Sequence, residues 1–155
     1  MTMYAAIRVR GEVDVKWEIR DTLELLRLHR ANHMVLLPEN GTAKGMIKKS
    51  RDYLTYGEIG EAALAHVIAK RGRVVGNKRL DSAFYAKHKV KGAEEIAKLV
   101  LSGKKKLADF GIKPVFRLNP PSKGFERAGI KKGYAEGGVL GYRGKEINKL
   151  IVKMA

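Results

Sequence analysis

Met3-Tyr4-Ala5-Ala6-Ile7-Arg8-Val9-Arg10 sets Met3, Ala5, Ile7 and Val9 in alternation with Tyr4, Ala6, Arg8 and Arg10. A period of two is the signature of a strand with one buried face. Gly11 ends it. Asp14 is a candidate N-cap, after which Val15, Ile19, Leu23 and Leu26 recur at helical spacing with Lys16, Arg20, Glu24 and Arg27 at other positions, so an amphipathic helix follows. Ala31 to His33 reads as a turn, Met34-Val35-Leu36-Leu37 as a buried strand, and Pro38 to Gly41 as the loop that stops it. Thr42 is placed to cap a second helix that buries Met46, Ile47, Tyr53 and Leu54 and turns Lys44, Lys48, Lys49 and Arg51 outward. The order is strand, helix, strand, helix.

Beyond this unit, Glu58 to Lys70 is a third helical segment, acidic at its first turn and basic at its last, as the helix dipole favours. Gly72 and Gly76 interrupt it, and residues 73–91 show no clear periodicity. Ala93 to Leu101 then reads as a helix with Ile96, Leu99 and Val100 inward, stopped by Ser102-Gly103. Val115-Phe116-Arg117-Leu118, between Pro114 and Pro120-Pro121, is a further strand candidate that would give the sheet its third strand, with Phe116 in the core. Ser122 to Gly144 is rich in Gly and Lys, and Glu146 to Met154 regains helical spacing through Ile147, Leu150 and Ile151. The expected organisation is α+β: a core over 1–57 completed by strand 114–119, a mainly helical insertion over 58–112, and a basic extension over 120–155 that ends in a short helix.

The 155 residues are 45% apolar, enough for one domain with a real core. The chain has no Cys, which excludes disulfides and thiolate chemistry and suits a reducing cytoplasm. Met1 to Gly11 lacks the unbroken apolar core of a signal peptide, and no apolar run approaches the roughly 20 residues that span a bilayer, so a soluble protein is expected. The net charge of +16 is distributed unevenly. Residues 1–69 carry 10 basic and 9 acidic side chains, and residues 70–155 carry 22 and 7, so the second half holds +15 of the total. A surface of that sign repels itself and is usually kept because a polyanion lies against it, which points to nucleic acid. No basic segment has the bulky apolar face that inserts into a membrane surface.

Gly137-Gly138-Val139-Leu140-Gly141-Tyr142-Arg143-Gly144-Lys145 resembles a phosphate loop only superficially. The position of the first required glycine is Val139, and Glu146 stands where Ser or Thr would hold magnesium. The glycines are better read as letting the backbone approach RNA closely. His29 and His33 have the spacing of zinc ligands on a helix, but the helix is expected to end near Arg30, so packing and RNA contact need fewer assumptions than a metal. His66 and His88 have no nucleophile or carboxylate at a catalytic spacing, and Glu94-Glu95 suit the start of a helix. No catalytic residue, metal ligand, cofactor or small-molecule substrate is therefore expected.

Basic residues recur in three groups: Arg27 and Arg30; Lys44, Lys48, Lys49 and Arg51; and Arg117, Lys123, Arg127, Lys131, Lys132 and Arg143, the last interleaved with Phe125, Tyr134 and Tyr142. Guanidinium groups bind phosphate bidentately and aromatic rings stack on bases, so the third group is the strongest RNA footprint, with Tyr142 included. The same surface leaves open an RNA-processing enzyme or a DNA-compacting protein.

The ordered blocks Asp21-Thr22-Leu23-Glu24-Leu25-Leu26-Arg27-Leu28-His29-Arg30-Ala31-Asn32-His33, Pro38, and Lys44-Gly45-Met46-Ile47-Lys48-Lys49 resemble the large-subunit ribosomal protein thirty family. Asp52-Tyr53-Leu54-Thr55-Tyr56-Gly57-Glu58-Ile59, Lys113 to Pro121 and the end from Gly137 resemble its long archaeal form, the counterpart of eukaryotic protein seven. Together the blocks reach across nearly the whole chain, with residues 73–93 contributing little. Lys44 stands where the family usually has Arg, Asn40-Gly41 replaces a Thr-containing loop, and Ser50 replaces a small apolar residue. The resemblance implies a three-stranded sheet, ferredoxin-like in character, with two helices on one face, a helical addition and a C-terminal extension. It also implies a structural, non-enzymatic role in the cytoplasmic ribosome, bound to 23S-type rRNA near 5S rRNA and beside other ribosomal proteins. RNA contact is implied at Arg27, Arg30, Lys44, Lys48, Arg117 and Arg143.

Overall fold

The alternation along Met3–Arg8 meets an unexpected environment in the computed structural model, which describes residues 3–155. Ala5, Ala6, Ile7, Arg8 and Val9 are all buried, so both faces of this strand, β1, are covered. Ala6 lies on the face that also carries Tyr4 and Arg8, and being small and apolar it lets helices pack there as well. The elements that follow are α1 (Trp17–Leu25), β2 (His33–Pro38), α2 (Gly41–Ser50), β3 (Leu54–Glu58), α3 (Glu61–Arg71), α4 (Ser82–Lys87), α5 (Ala93–Leu101), β4 (Val115–Arg117), β5 (Gly141–Tyr142) and α6 (Ile147–Met154).

Among the described residues the sheet has five strands in the order β4-β2-β1-β3-β5, where a three-stranded sheet was expected. All neighbours are antiparallel except β3 and β5, which run parallel. One cause is Leu54: it was assigned to the buried face of α2, but α2 ends at Ser50 and Leu54 begins β3, where it pairs with Arg8. A turn closed by the Tyr53 amide donating to the Ser50 carbonyl (3.0 Å) separates the two elements. The Val115 segment is therefore not the third strand but an edge strand on β2, and α3 starts at Glu61 because Glu58 belongs to β3. The unpatterned 73–91 stretch contains α4, and the Gly-rich extension supplies β5.

Helices cover both faces of the sheet, correcting the expectation of one. Leu23, Leu26 and Leu28 pack on Ala6, Val35 and Leu54, with Met46 of α2 against them. The opposite face carries the larger core, where Ala5, Ile7, Met34 and Phe116 meet Leu64 and Ile68 of α3, Ile96 and Val100 of α5, and Ile147 and Ile151 of α6. Phe116, assigned to the core from sequence, is fully buried. Truncating such a ring to Ala costs about 3–5 kcal/mol.

Neither Asp14 nor Thr42 caps a helix; the N-cap positions are Lys16 and Asn40, without side-chain cap bonds. The end of α1 is more tightly specified. The Leu28 amide donates to the Leu23 carbonyl (2.8 Å) and the Arg27 amide to the Glu24 carbonyl (2.8 Å), a Schellman closure with Arg27 at φ +60°. Arg8, 2% exposed, donates from one guanidinium nitrogen to the carbonyls of Leu28 (2.7 Å) and His29 (3.0 Å) and from another to that of Gly11 (3.1 Å). A buried cation thus satisfies carbonyls of the loop that follows α1 and of the turn after β1. Burial lowers its pKa, opposed by the Glu12 carboxylate.

Candidate nucleic-acid interface

The basic groups fall into distinct places around this scaffold. Arg27 and Arg30 are exposed just beyond α1, and Arg117, also exposed, pairs across the strands with His33. His33 lies on the α1–α2 side of the sheet, and its buried Nδ1 has no hydrogen-bond partner among the described residues. Burial first, then the positive charge of Arg117, the nearby His29, Arg30 and Arg8, holds its pKa below the usual histidine value. Arg8, Arg30 and Arg117 thus lie about the start of β2, and Arg8 orders the loop that carries Arg27 and Arg30.

A second group lies beside α2. Lys44, Lys48 and Arg51 line a groove of about 620 Å³ together with Tyr4, Tyr56, Tyr134 and Tyr142. Lys49 is exposed on the same helix. The tyrosines come from β1, β3, β5 and a 3₁₀ turn at Tyr134–Glu136, and the sheet register brings them together: Ala6 pairs with Tyr56, and Tyr56 with Tyr142. Tyr4 meets Tyr56 edge-on with ring centroids 6.1 Å apart, and Tyr56 lies 5.5 Å from Tyr142. The Tyr4 hydroxyl donates to Glu39 Oε1 (3.0 Å) and the Tyr142 hydroxyl to Glu58 Oε1 (2.7 Å). Burial, reinforced by Glu39, raises the Tyr4 pKa; the Glu58 hydrogen bond raises that of Tyr142. Lys44 Nζ is 2.8 Å from Glu39 Oε1, and this hydrogen bond raises the ammonium pKa. Sequence reasoning selected Tyr142 but not Tyr4 or Tyr56. The signal was present in the period-two pattern, which puts Tyr4 and Tyr56 on one face once Leu54–Glu58 is read as a strand.

The extension holds the third group. Lys123, Arg127, Lys131 and Lys132 are exposed. Arg143, by contrast, is 5% exposed and grips the inside of the extension. It donates to both carboxylate oxygens of Glu126, to Thr55 Oγ1 (3.1 Å) and to the Val139 carbonyl (3.2 Å), and its guanidinium lies 4.5 Å from the Tyr134 ring centroid. Burial pushes the Glu126 carboxyl up, but hydrogen bonds and the charges of Arg143 and Lys153 outweigh it and hold it below the ordinary carboxylate value. What Arg143 does for the surface is indirect: it fixes the segment that presents Tyr134 and Tyr142.

Gly57 makes this docking possible. A Cβ there would collide with the Gly144 carbonyl and lie 3.1 Å from Cβ of Ile147, so only a glycine lets the extension come this close to β3. The Gly137–Lys145 stretch is thereby accounted for: Gly141 and Tyr142 form β5, and the Arg143 amide donates to the Tyr56 carbonyl (2.9 Å).

Among the described residues, Arg27, Arg30, Lys48, Lys49, Arg117, Lys123, Arg127, Lys131 and Lys132 make no ion pair, while Lys44 pairs with Glu39 and Arg51 approaches Asp52 at 4.0 Å. Cations left without acidic partners are suited to an external polyanion. Among the described residues there is also no cluster of three or more His, Asp or Glu able to hold a metal, and no helix long and apolar enough to cross a membrane.

The family model for ribosomal protein L30p/L7e matches residues 4–54, from β1 to the start of β3. The match extends to nearly full length in individual proteins. The large ribosomal subunit protein uL30 of Methanococcus maripaludis is 52% identical over 151 residues, covering 97% of this chain and 98% of its own. The chain belongs to the L30p/L7e family. Two further relatives of the same description bear this out: that of Nanoarchaeum equitans is 49% identical over 99% of both chains, and that of Staphylothermus marinus 47% identical over 98% of both. The resemblance carried by the sequence blocks is thereby confirmed, including its archaeal character, and L30p/L7e proteins are ribosomal proteins, not enzymes. Because the relatives align over nearly the entire chain, the extension that completes the sheet and carries Tyr142 is part of the shared L30p/L7e sequence in these archaea.

Proposed function

We propose that this chain is a structural constituent of the large ribosomal subunit in the cytoplasm, where it binds and stabilises folded 23S-type rRNA near 5S rRNA and so supports translation. The observation that carries this reading is the near-full-length identity to large-subunit proteins, combined with nine candidate contact cations that make no ion pair among the described residues. Exposed Arg27, Arg30 and Arg117 support one contact region, and Lys44, Lys48, Lys49, Arg51 and Tyr142 a second; Lys123, Arg127, Lys131 and Lys132 extend it. Arg143 acts behind this surface by fixing the extension. The order β1-α1-β2-α2-β3 supports a ferredoxin-like core over 1–57, completed at its edge by 114–119, with a helical insertion over 58–112 and a basic extension over 120–155. Neighbouring ribosomal proteins are the expected protein partners.

Sedimentation tests this reading. The protein is expected to travel with large subunits in gently prepared lysates, and recovery only in free fractions at low salt would refute it. In purified form, neutralising about 6–10 phosphates implies an affinity loss of roughly a thousandfold or more between 50 and 200 mM salt. Preference for duplex DNA over rRNA fragments would favour DNA compaction instead.

A further inference from the structure

We propose that the groove between α2 and the Gly133–Tyr142 segment receives a single unpaired RNA nucleotide, its base stacked against Tyr142 and Tyr56 and its phosphate held by Lys48 and Arg51. The proposal rests on the RNA-binding reading and names what that site takes.

Four tyrosines from four separate stretches of chain converge on one hollow. Two of them are tethered through their hydroxyls, Tyr4 to Glu39 and Tyr142 to Glu58, which fixes the rings and leaves aromatic surface as what they offer. Tyr142 is 51% exposed although it sits in a strand paired with β3, so its surface is presented on a rigid support. Bases inside a duplex are stacked on one another and cannot reach such a ring, whereas an extruded or single-stranded base can. The groove volume of about 620 Å³ lies within the range of roughly 300–1,000 Å³ used for small ligands.

Charge sets the orientation. Lys48 and Arg51 line the groove, and Lys48 has no ion pair among the described residues, so a phosphate is satisfied on the α2 side. Glu136 lines the groove from the extension; a carboxylate there repels phosphate but accepts a hydrogen bond from an exocyclic amino group, which favours cytosine over uracil. An acidic protein segment would satisfy the lysines yet face Glu136 with like charge and leave the Tyr142 ring unmatched.

The test compares two RNA hairpins carrying 2-aminopurine, one with the base bulged and one with it paired, each titrated with the full-length protein. The bulged hairpin is expected to bind about tenfold tighter, in the range that ring stacking gives one base, with its fluorescence quenched on binding. Tyr142→Leu should abolish both the preference and the quenching. Tyr142→Phe, which keeps the ring and loses the tether to Glu58, should retain most of the preference. Equal binding of both hairpins with a steep salt dependence would overturn the nucleotide proposal and leave the RNA-binding reading intact. Equal losses on both hairpins in Tyr142→Leu, or displacement of the bulged hairpin by polyglutamate at equal charge, would also overturn it. Failure of either hairpin to bind even at low salt would remove the RNA-binding reading and the proposal with it.

Discussion

Arg27 occupies a position where its backbone and its side chain have opposing requirements, and Arg27→Gly separates them. The residue closes α1 at φ +60°, in the left-handed region where a non-glycine residue costs roughly 1–2 kcal/mol. Glycine removes that strain but loses about 0.5–1 kcal/mol more conformational entropy on folding. The side chain is exposed and makes no ion pair among the described residues, so little native interaction is lost. Arg27→Gly is therefore expected to stabilise the protein by about 0.5–1 kcal/mol, the difference between these terms. For a chain of this length that corresponds to a rise in Tm of roughly 1–4 °C. The same change removes one cation from the proposed interface, so the slope of log affinity against log salt should fall by about 0.9. Urea denaturation at several temperatures and an rRNA-fragment titration across salt concentrations measure the two effects. Arg27→Ala keeps the strain and should lower the salt slope alone. A destabilised Arg27→Gly protein would refute the account of the helix end; a gain in stability with an unchanged salt slope would remove Arg27 from the interface.

Gly57→Ala should cost about 1–3 kcal/mol through overpacking against Gly144 and Ile147, with faster hydrogen exchange at the Arg143 amide; unchanged exchange would mean that the extension docks differently. Arg143→Met should destabilise by about 2–3 kcal/mol, below the usual cost of splitting a buried pair because Glu126 is one-third exposed. Adding Glu126→Leu should restore most of this, and no recovery in the double variant would argue against the pair as the cause. The Glu126 carboxyl is held below its ordinary value, so its stabilisation is complete above about pH 4.3 and lost as pH falls through the lowered folded pKa. Glu126→Gln should flatten that acid limb in chemical denaturation. His33 also has a lowered folded pKa, so the unfolded chain takes up its proton first, and stability should decline as pH falls below about 6.5. A His33→Phe variant with the same slope between pH 5 and 7 would show that another group is responsible.

Periodicity was sufficient to recover β1, α1, β2, α2 and α5, where apolar residues recur at the element's own period and the turns carry Gly, Pro or Asn. It failed at Leu54-Thr55-Tyr56-Gly57-Glu58. This strand contains a glycine and two polar residues because its far face receives the extension, which local pattern cannot foresee. β5 escaped for the same reason, since a two-residue strand exists only through its partner. The second layer of helices was concealed by Ala6 and Arg8: a small residue and a buried guanidinium occupy positions that alternation assigns to solvent. Among the candidate site residues, the exposed cations were legible from charge and spacing. The burial of Arg143 was not, because Glu126, Thr55 and Tyr134 meet it only through tertiary packing. The tyrosine groove needed the register of three strands before its members could be placed side by side.

The strand order β4-β2-β1-β3-β5 has a consequence for how the chain is made. Synthesis runs from the N-terminus, so the three central strands are complete by Glu58 while both outer positions remain vacant. The open side of β2 waits for Val115–Arg117, and that of β3 for Gly141–Tyr142. Unpaired strand edges invite pairing with other chains. The nascent protein therefore carries two adhesive borders through most of its synthesis, and its last forty or so residues act as the selvedge that seals them. Chains released before residue 141 would keep the β3 border open and should be the aggregation-prone products of interrupted translation.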